Sequence, residues 1–430
     1  MNIWRADKAL AHHSYYEATA PRTQRFDTLQ DDIRCDVAIV GGGLAGLSAA
    51  IELADRGYSV ALLEARQIGS GASGRNGGQA LSGLASDQPA IEEQLGMADA
   101  RRIFSMTLEA IDLIVQRCQR FDINCEWQPG YLYLAINERK ARALQEWQAH
   151  LHKNYDDHSE WITPDELPRW IDSPRFHSGL HDPRSGHLHP LKYTLGLARA
   201  ASSLGVRLFE NTEVTGLIPG ETARLQTPQG EVRASHVLLA GNVYLQGLAP
   251  ELAPRIMPIG TYIVASAPLD PDLLHSLIPS RSAVCDNNFV LDYFRPTADH
   301  RMLYGGGASS TTTRPINMAA SMQRCMACSF PQLKNTPVEY AWGGFVDISV
   351  SRTPDFGRLH RNIYYLQGFS GHGLALTGLA GKLVAEAIAG SAERFDTFAR
   401  LRHRSFPGGP LLRTPALALG MSYYQLRDRL

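Results

Sequence analysis

The sequence contains no long apolar run, no excess of one charge and few cysteines. No uncharged stretch reaches the length of about 20 residues that a membrane-spanning helix needs, so we expect no membrane anchor. The 42 basic and 43 acidic residues nearly cancel, which argues against a nucleic-acid partner. Residues 1–20 carry charges and lack the apolar core of a secretory signal, so we predict a cytoplasmic protein.

The six cysteines are too scattered in 430 residues to form a disulfide framework, and we expect reduced thiols. Cys325 and Cys328 form a C-x-x-C pair, but no second pair accompanies them, so we interpret them as ordinary thiols on a helix. His187 and His189 occupy alternate positions without an evident third ligand. We therefore predict loop and capping roles for these histidines and no metal site.

The chain does have enough apolar residues for a large core, with 44% hydrophobic and only 20% charged residues. A chain of this length and composition is expected to fold as two domains, either consecutive or interleaved. Its balanced charge favours chemistry on a small molecule over binding to a polyanion.

The most informative segment begins with an apolar strand at residues 36–40. The strand leads directly into Gly41, Gly43 and Gly46, whose spacing is that of a dinucleotide-binding fingerprint. The first glycine permits the tight turn, the second lets the backbone approach a pyrophosphate, and the third lets the following helix pack closely on the strand. The helix start would hold the phosphates, because its unpaired N–H groups favour anionic oxygens.

A second strand at residues 59–63 ends in Glu64, which is placed to accept hydrogen bonds from a ribose. Strand, glycine turn, helix, strand and acid in this order predict a redox enzyme with a dinucleotide cofactor. The fingerprint alone does not separate NAD from FAD.

Two further glycine-rich segments favour a flavin. Residues 68–79 are too rich in glycine for a helix or strand interior, and Ser73, Arg75 and Asn76 offer donors for phosphate or a heteroaromatic ring; the alternative is a flexible linker. Residues 368–373 follow a strand and begin an apolar helix, whose dipole would stabilise the negative charge of a reduced flavin. NAD needs no such second anion site, although glycines also serve plain turns.

These segments predict an α/β chain in which a Rossmann-like FAD-binding domain of the glutathione-reductase type is interleaved with a mixed-sheet α+β substrate domain. The FAD-binding domain is discontinuous and comprises residues 30–90, 180–255 and 340–400. The substrate domain comprises residues 91–179 and 256–339, and residues 401–430 form a C-terminal tail.

The chain resembles the FAD-dependent D-amino-acid oxidase family in its first glycine fingerprint, its glycine loop at residues 71–79 and its G-H-G motif at residues 371–373. The similarity runs from about Phe26 to the C-terminus. The resemblance is strongest to those members that act on γ-glutamyl polyamines. It rests there on residues 186–190, 303–307, 406–409 and 423–428.

This resemblance implies oxidation of the primary amine of a γ-glutamyl polyamine, such as γ-glutamylputrescine, to an aldehyde in polyamine catabolism. Ammonia would be released and oxygen reduced to hydrogen peroxide. FAD would be held without a covalent bond, since no cysteine or histidine lies in an obvious attachment motif. The residues placed at FAD by the resemblance or by the glycine motifs are Gly41, Gly43, Leu44, Ala45, Gly46, Glu64, Ala65, Arg66, Gly71, Ala72, Ser73, Asn76, Gly77, Gly78, Gln79, Val214, Ala240, Gly241, Ser370, Gly371, His372, Gly373 and Leu374.

On the substrate side, His372 is the residue best placed by sequence to assist catalysis. Tyr262, Tyr293 and Trp342 are candidate pocket walls. The sequence departs from the family pattern at residues 342–345, where a hydroxyl residue usually follows the tryptophan. This departure leaves the exact amine open.

Arg295 and Arg352 are candidates for binding a glutamyl carboxylate, because a planar guanidinium matches a carboxylate bidentately. Most arginines, however, lie on protein surfaces.

Two other functions stay open at this point. A dehydrogenase of the same fold would pass electrons from a D-amino acid or a secondary amine to an acceptor other than oxygen. A flavin-binding protein without turnover would act as a sensor or an assembly partner. The sequence does not indicate the oligomeric state.

Overall fold

The computed structural model describes residues 3–11, 13–309 and 317–407. The predicted C-terminal tail therefore lies outside the described residues from residue 408 onward. The strands, in chain order, are β1 Ile33–Val40, β2 Val60–Leu63, β3 Gln79–Ala80, β4 Gln128–Ala135, β5 Glu160–Ile162, β6 Ser178–His187, β7 Arg207–Phe209, β8 Gly216–Ile218, β9 Ala223–Thr227, β10 Gly230–Leu239, β11 Ile256–Ser266, β12 Ala283–Asp286, β13 Tyr293–Pro296, β14 Met302–Ser309, β15 Val338–Ser349, β16 Asp355–His360 and β17 Ile363–Gln367.

Helices connect these strands and cover the sheets. No helix among the described residues is long and apolar enough to cross a bilayer. The α-helices are α1 Ile3–Leu10, α2 Tyr15–Thr19, α3 Leu44–Asp55, α4 Gln88–Leu95, α5 Met97–Arg120, α6 Glu138–Asn154, α7 Pro190–Ser203, α8 Pro271–Leu277, α9 Met318–Ser329, α10 Gly373–Ile388 and α11 Glu393–Ala399.

The first sheet has the strand order β16-β17-β10-β1-β2-β7, and its strands from β17 to β7 run parallel. The hairpin of β8 and β9 extends the sheet from β10 in antiparallel fashion. Parallel strands end at the same edge of a sheet, so the turns that follow β1, β2, β10 and β17 meet there. The glycine fingerprint after β1 lies near the middle of this edge.

The second sheet has the order β15-β11-β14-β13-β12-β4-β6-β3, with β5 paired to β6. The pairing of β12 with β4 is parallel, whereas the others are antiparallel. The predicted α/β fold class with a mixed second sheet is therefore confirmed.

Sheet membership moves two of the expected domain boundaries. β6 pairs with β3 and β4, and β15 pairs with β11, so both strands belong to the second sheet. Most of their residues, from 180 and from 340 onward, fall in segments expected to belong to the FAD-binding domain. The chain leaves the first sheet twice, once for β3 to β6 and once for β11 to β15, and a sequence pattern does not show which sheet a strand joins.

Alternate residues of β1 point to opposite faces of the first sheet. Val37 and Ile39 pack with α3, α5, α7 and α10, whereas Ala38 and Val40 pack on the side of the β8–β9 hairpin. Both faces are thus covered, as a parallel sheet requires.

Helices α3 and α10 touch through their backbones, at Gly381. A Cβ atom there would lie 2.5 Å from the carbonyl oxygen of Ala45 and 2.6 Å from the amide nitrogen of Ala49. One turn earlier, the Ser48 hydroxyl donates a hydrogen bond to the carbonyl of Gly378. The start of α3, which carries the glycine fingerprint, is therefore held in place by α10.

We expect Gly381→Ala to destabilise the protein by about 1–3 kcal/mol, because the added methyl group must push two helices apart. The measurement is urea unfolding of the purified variant. Gly378→Ala is the matched control on the same helix, since a Cβ atom there would lie 3.6 Å from Arg117 Nη1, an ordinary contact. Equal stability of the two variants would contradict this account of the helix crossing.

Candidate active site

A cavity of about 1640 Å³ lies where the edge of the first sheet faces the second sheet. Val40, Leu63 and Ala240 line it from the first sheet and its turns. Tyr131 and Thr261 line it from the second sheet. A cavity between two domains that is walled on one side by a nucleotide-type turn is a natural site for a cofactor and a substrate together.

The first glycine turn brings bare backbone to this cavity. Gly41 has φ 113°, and a Cβ atom on it would lie 2.7 Å from the carbonyl oxygen of Ala240. Gly43 is the N-cap of α3 and supplies no side-chain cap. The Leu44 N–H donates to Ser73 Oγ at 2.9 Å, so the glycine loop is tied to the helix start. This geometry leaves the beginning of α3 open to an anionic group.

Glu64 lies at the end of β2 and lines the cavity. Its carboxylate accepts hydrogen bonds from the backbone N–H of Gly42 at 2.7 Å and of Arg66 at 2.9 Å. Burial raises the pKa of this carboxyl group above its usual range. Each oxygen still has a second lone pair, so the group can accept a further hydrogen bond from a hydroxyl.

Asp347 binds the backbone of the second glycine segment, residues 368–373. Sequence reasoning missed this residue. Its carboxylate accepts from the N–H of Gly368, and from that of Phe369 at 3.3 Å. Its carbonyl accepts from the Ser370 N–H at 2.9 Å. Burial raises the pKa of Asp347 to about 6. A buried acid that follows no motif leaves no signal in the sequence.

His372 is the N-cap residue of α10 and lines the cavity, but its ring is already engaged. Nε2 donates to the carbonyl oxygen of Ser82 at 2.9 Å. Burial lowers the pKa of His372, which favours the neutral imidazole. With Nε2 carrying the proton, Nδ1 is the nitrogen able to accept one.

Asp7 on the N-terminal helix α1 binds three loops at this end of the cavity, and no sequence motif marks it. It is fully buried and receives Arg75 Nη1 at 2.8 Å and Arg66 Nη2 at 2.6 Å. The hydroxyl of Tyr244 donates to it at 2.7 Å. One carboxylate thus joins the loops that carry Arg66, Arg75 and Tyr244.

The structure brings together nearly all residues that the sequence places at FAD. All of them line the cavity except Gly46 and Gly78. Gly46 packs against the carbonyl of Gly41, and Gly78 against that of Leu188. As FAD ligands these residues remain predictions.

Of the candidate pocket walls, Tyr293 lines the cavity, but Tyr262 and Trp342 do not. Tyr262 follows Thr261 on β11 and therefore points to the other face of the second sheet, where it joins the core. Trp342 is paired in register with Ile263, and neither residue is among those of β11 and β15 that line the cavity. Its indole N–H donates to the carbonyl of Arg75 at 3.0 Å, and the ring is fully buried.

The two candidate carboxylate-binding arginines lie in different surroundings. Arg295 is buried and donates to the carbonyls of Gly77 at 2.8 Å and Leu188 at 3.1 Å, so it braces the glycine loop. Arg352 lines the cavity and stacks over the ring of Phe289, 4.4 Å from its centroid.

Comparison with known proteins gives a family match. The DAO family, described as FAD dependent oxidoreductases, matches residues 36–387. The chain is 44% identical over 418 residues to the γ-glutamylputrescine oxidoreductase of Escherichia coli K12, covering 97% of this chain and 98% of that protein. It is 39% identical to a probable oxidoreductase, OrdL, of Haemophilus influenzae, covering 97% of each.

Solved structures share the fold at lower identity. Glycine oxidase from Geobacillus kaustophilus superposes with a TM-score of 0.70 at 23% identity, covering 86% of this chain and 100% of that one. An L-amino acid deaminase from Proteus vulgaris superposes with a TM-score of 0.71 at 19% identity, covering 86% and 94%.

We expect Asp7→Asn to destabilise the protein by about 3–5 kcal/mol, because it leaves the buried Arg75 guanidinium without its counter-charge. The control is Asp55→Asn, which breaks the more exposed pair with Arg120 and should cost less than about 1 kcal/mol. Denaturant unfolding of both variants measures the difference. A loss no larger for Asp7→Asn than for Asp55→Asn would show that α1 contributes little.

Proposed function

Because this chain belongs to the DAO family of FAD-dependent oxidoreductases, we propose that it oxidises the primary amine of a γ-glutamyl polyamine such as γ-glutamylputrescine. The carbon–nitrogen single bond becomes an imine, which water cleaves to an aldehyde and ammonia, and the two electrons pass to oxygen to give hydrogen peroxide. The observation that carries the proposal is the 44% identity, over nearly the full length of both chains, with a γ-glutamylputrescine oxidoreductase.

The described residues fit FAD along one wall of the cavity. FAD, when bound, accepts the two electrons and the hydrogen that leave the amine-bearing carbon. The N-cap residues of α3 and α10 supply no side-chain cap, and both helix starts line the cavity. The N–H groups there that no side chain engages can meet anionic groups of the cofactor. Glu64 is suited to the ribose of the same cofactor. We propose that FAD is held along this wall without a covalent bond.

The opposite part of the cavity suits an extended amine. Tyr131 and Tyr133 stack with centroids 6.4 Å apart, and Trp147 meets Tyr133 edge-on at 6.0 Å. Asp182 and Glu146 line the same part. Aromatic faces and carboxylates together attract an alkylammonium chain.

Arg352 supports recognition of the glutamyl end. It lines the cavity, and its stacking on Phe289 orients the planar guanidinium. A guanidinium held in this way is suited to a carboxylate.

His372 is suited to prepare the amine for reaction. Only the neutral amine would be oxidised, so a proton must leave the ammonium form first. Nδ1 of His372 is an acceptor at the second helix start, and we assign it the role of accepting or orienting that proton. Tyr293 packs against Gly77 and Gly305 and forms part of the wall beside the glycine loop.

We also place the reaction in the cytoplasm and assign oxygen as the acceptor. The location follows from the sparse cysteines, all of which are free thiols. The acceptor follows from the family resemblance and is the part of the proposal that spectroscopy tests most directly.

We expect Gly43→Val to purify with little or no FAD. Its Cβ atom would lie 2.7 Å from Ser73 Oγ, and its branches would fill the space that a pyrophosphate needs. Gly247→Val is the control, because Gly247 lines the same cavity and a Cβ atom there meets nothing within 4 Å. Flavin absorbance per chain is the measurement, and a fully loaded Gly43→Val protein would refute the assignment of this turn.

The function itself is tested by an anaerobic visible spectrum of the purified protein, titrated with γ-glutamylputrescine, D-amino acids and free putrescine. We expect the γ-glutamyl amine to bleach the flavin and air to restore it with one peroxide per turnover. Bleaching without recovery in air would point to an acceptor other than oxygen. A flavin that no amine bleaches would contradict the proposal.

A further inference from the structure

Two cysteine thiols lie next to each other at a place that the proposed reaction does not use. Sγ of Cys118 and Sγ of Cys125 are 3.4 Å apart. Cys118 is half-buried in the last turns of α5, and Cys125 is buried. Neither residue lines the cavity. The pair is seven residues apart in sequence, a spacing that matches no common thiol motif.

The backbone between the two residues holds the thiols together. Asp122 adopts φ 49° just after the end of α5, and the N–H of Ile123 then donates to the carbonyl of Cys118 at 2.9 Å, as in a Schellman-type helix end. The N–H of Cys125 donates to the carbonyl of Ile123 at 3.1 Å. The carbonyl of Cys125 accepts from the His189 N–H at 2.8 Å. Hydrogen bonds on both sides therefore fix the approach of the thiols.

The two sulfurs are not equivalent. The hydrogen bond from Cys125 lowers the pKa of the Cys118 thiol. The same contact and burial raise the pKa of the Cys125 thiol. The thiolate is the reactive form, so the more accessible Cys118 is suited to attack and Cys125 to resolve the product.

We propose that Cys118 and Cys125 form a peroxide-sensitive dithiol that closes to a disulfide. The Cys118 thiolate attacks one oxygen of hydrogen peroxide, the O–O bond breaks, and hydroxide leaves as water after protonation. Cys118 is then a sulfenic acid. The Cys125 sulfur attacks it, the S–O bond breaks, and the second water leaves with the proton of Cys125. Two thiols lose two electrons, and one peroxide becomes two waters.

The source of the oxidant links this dithiol to the proposed function. Hydrogen peroxide is the product that we assign to the cavity, so the thiols would meet it during turnover. That link rests on the proposed function. The dithiol itself does not, because peroxide can be added from outside.

The other close cysteine pair gives a contrast within the same chain. Cys325 and Cys328 lie one turn apart on α9, and Cys328 is exposed. An exposed thiol is oxidised more readily by dissolved peroxide, and its products would complicate the peptide map. A Cys328→Ser background removes this competing reaction and leaves Cys118 and Cys125 unchanged.

The experiment adds hydrogen peroxide to the purified flavoprotein in the Cys328→Ser background, followed by alkylation and a non-reducing peptide map. We expect the intact mass to fall by two hydrogen atoms and one linked peptide pair to join Cys118 to Cys125. A map with both thiols still alkylated, or with either joined to another cysteine, would overturn the proposal. Because this protein keeps both Cys118 and Cys125, the peptide map does not require any variant of either cysteine to fold.

Single variants then test the order of attack. Cys125→Ser should stop at a Cys118 sulfenic acid that dimedone labels, whereas Cys118→Ser should take up far less label. Label equally strong in Cys118→Ser would contradict the assigned roles.

A second arm replaces added peroxide by γ-glutamylputrescine and air, with and without catalase. Disulfide formation that catalase suppresses would join the dithiol to turnover. If added peroxide closes the disulfide but turnover does not, the dithiol stands and peroxide release by the proposed reaction is contradicted.

Discussion

The structure depends on close backbone packing, without intervening side chains, where α3 begins. Gly46 packs on the carbonyl of Gly41, so the helix can follow the strand without a gap. Gly381 then lets α10 lie directly against α3, near Ala45 and Ala49. Side chains at these points would separate the helix from the sheet and from its neighbour. Gly46 and Gly381 therefore fix the position of the helix start at the edge of the cavity.

The cofactor side of the cavity could be predicted from the sequence because its signals are local. A strand, three glycines at fixed spacing, a helix and an acid lie within residues 33–64, and the second glycine segment likewise follows its own strand. Their relative positions in space follow from the parallel sheet, since strands of one direction end at one edge. The lining residues at both helix starts were thus within reach of sequence reasoning.

The substrate side could not be predicted in the same way, because its geometry depends on register and on distant partners. Trp342 and Tyr262 are aromatic residues in strands, but neither lines the cavity, and Tyr262 lies on the far face of its sheet. Arg295 is a sequence candidate for binding a substrate carboxylate, yet its guanidinium binds main-chain carbonyls. Asp7 lies 59 and 68 positions before the arginines that it pairs with, so no periodicity could point to it.

The order of strands in the first sheet has a consequence for how the chain is made. The central strand β1 pairs with β2 close by in sequence, but on its other side it pairs with β10, and β10 in turn with β17. A chain leaving the ribosome therefore has the glycine turn long before it has the strands that complete the sheet beneath it. Until residues 363–367 emerge, the open edge of β10 must avoid pairing with other chains. A cofactor that bound earlier would lack the contacts expected from residues 370–374, so the complete site exists only late in synthesis.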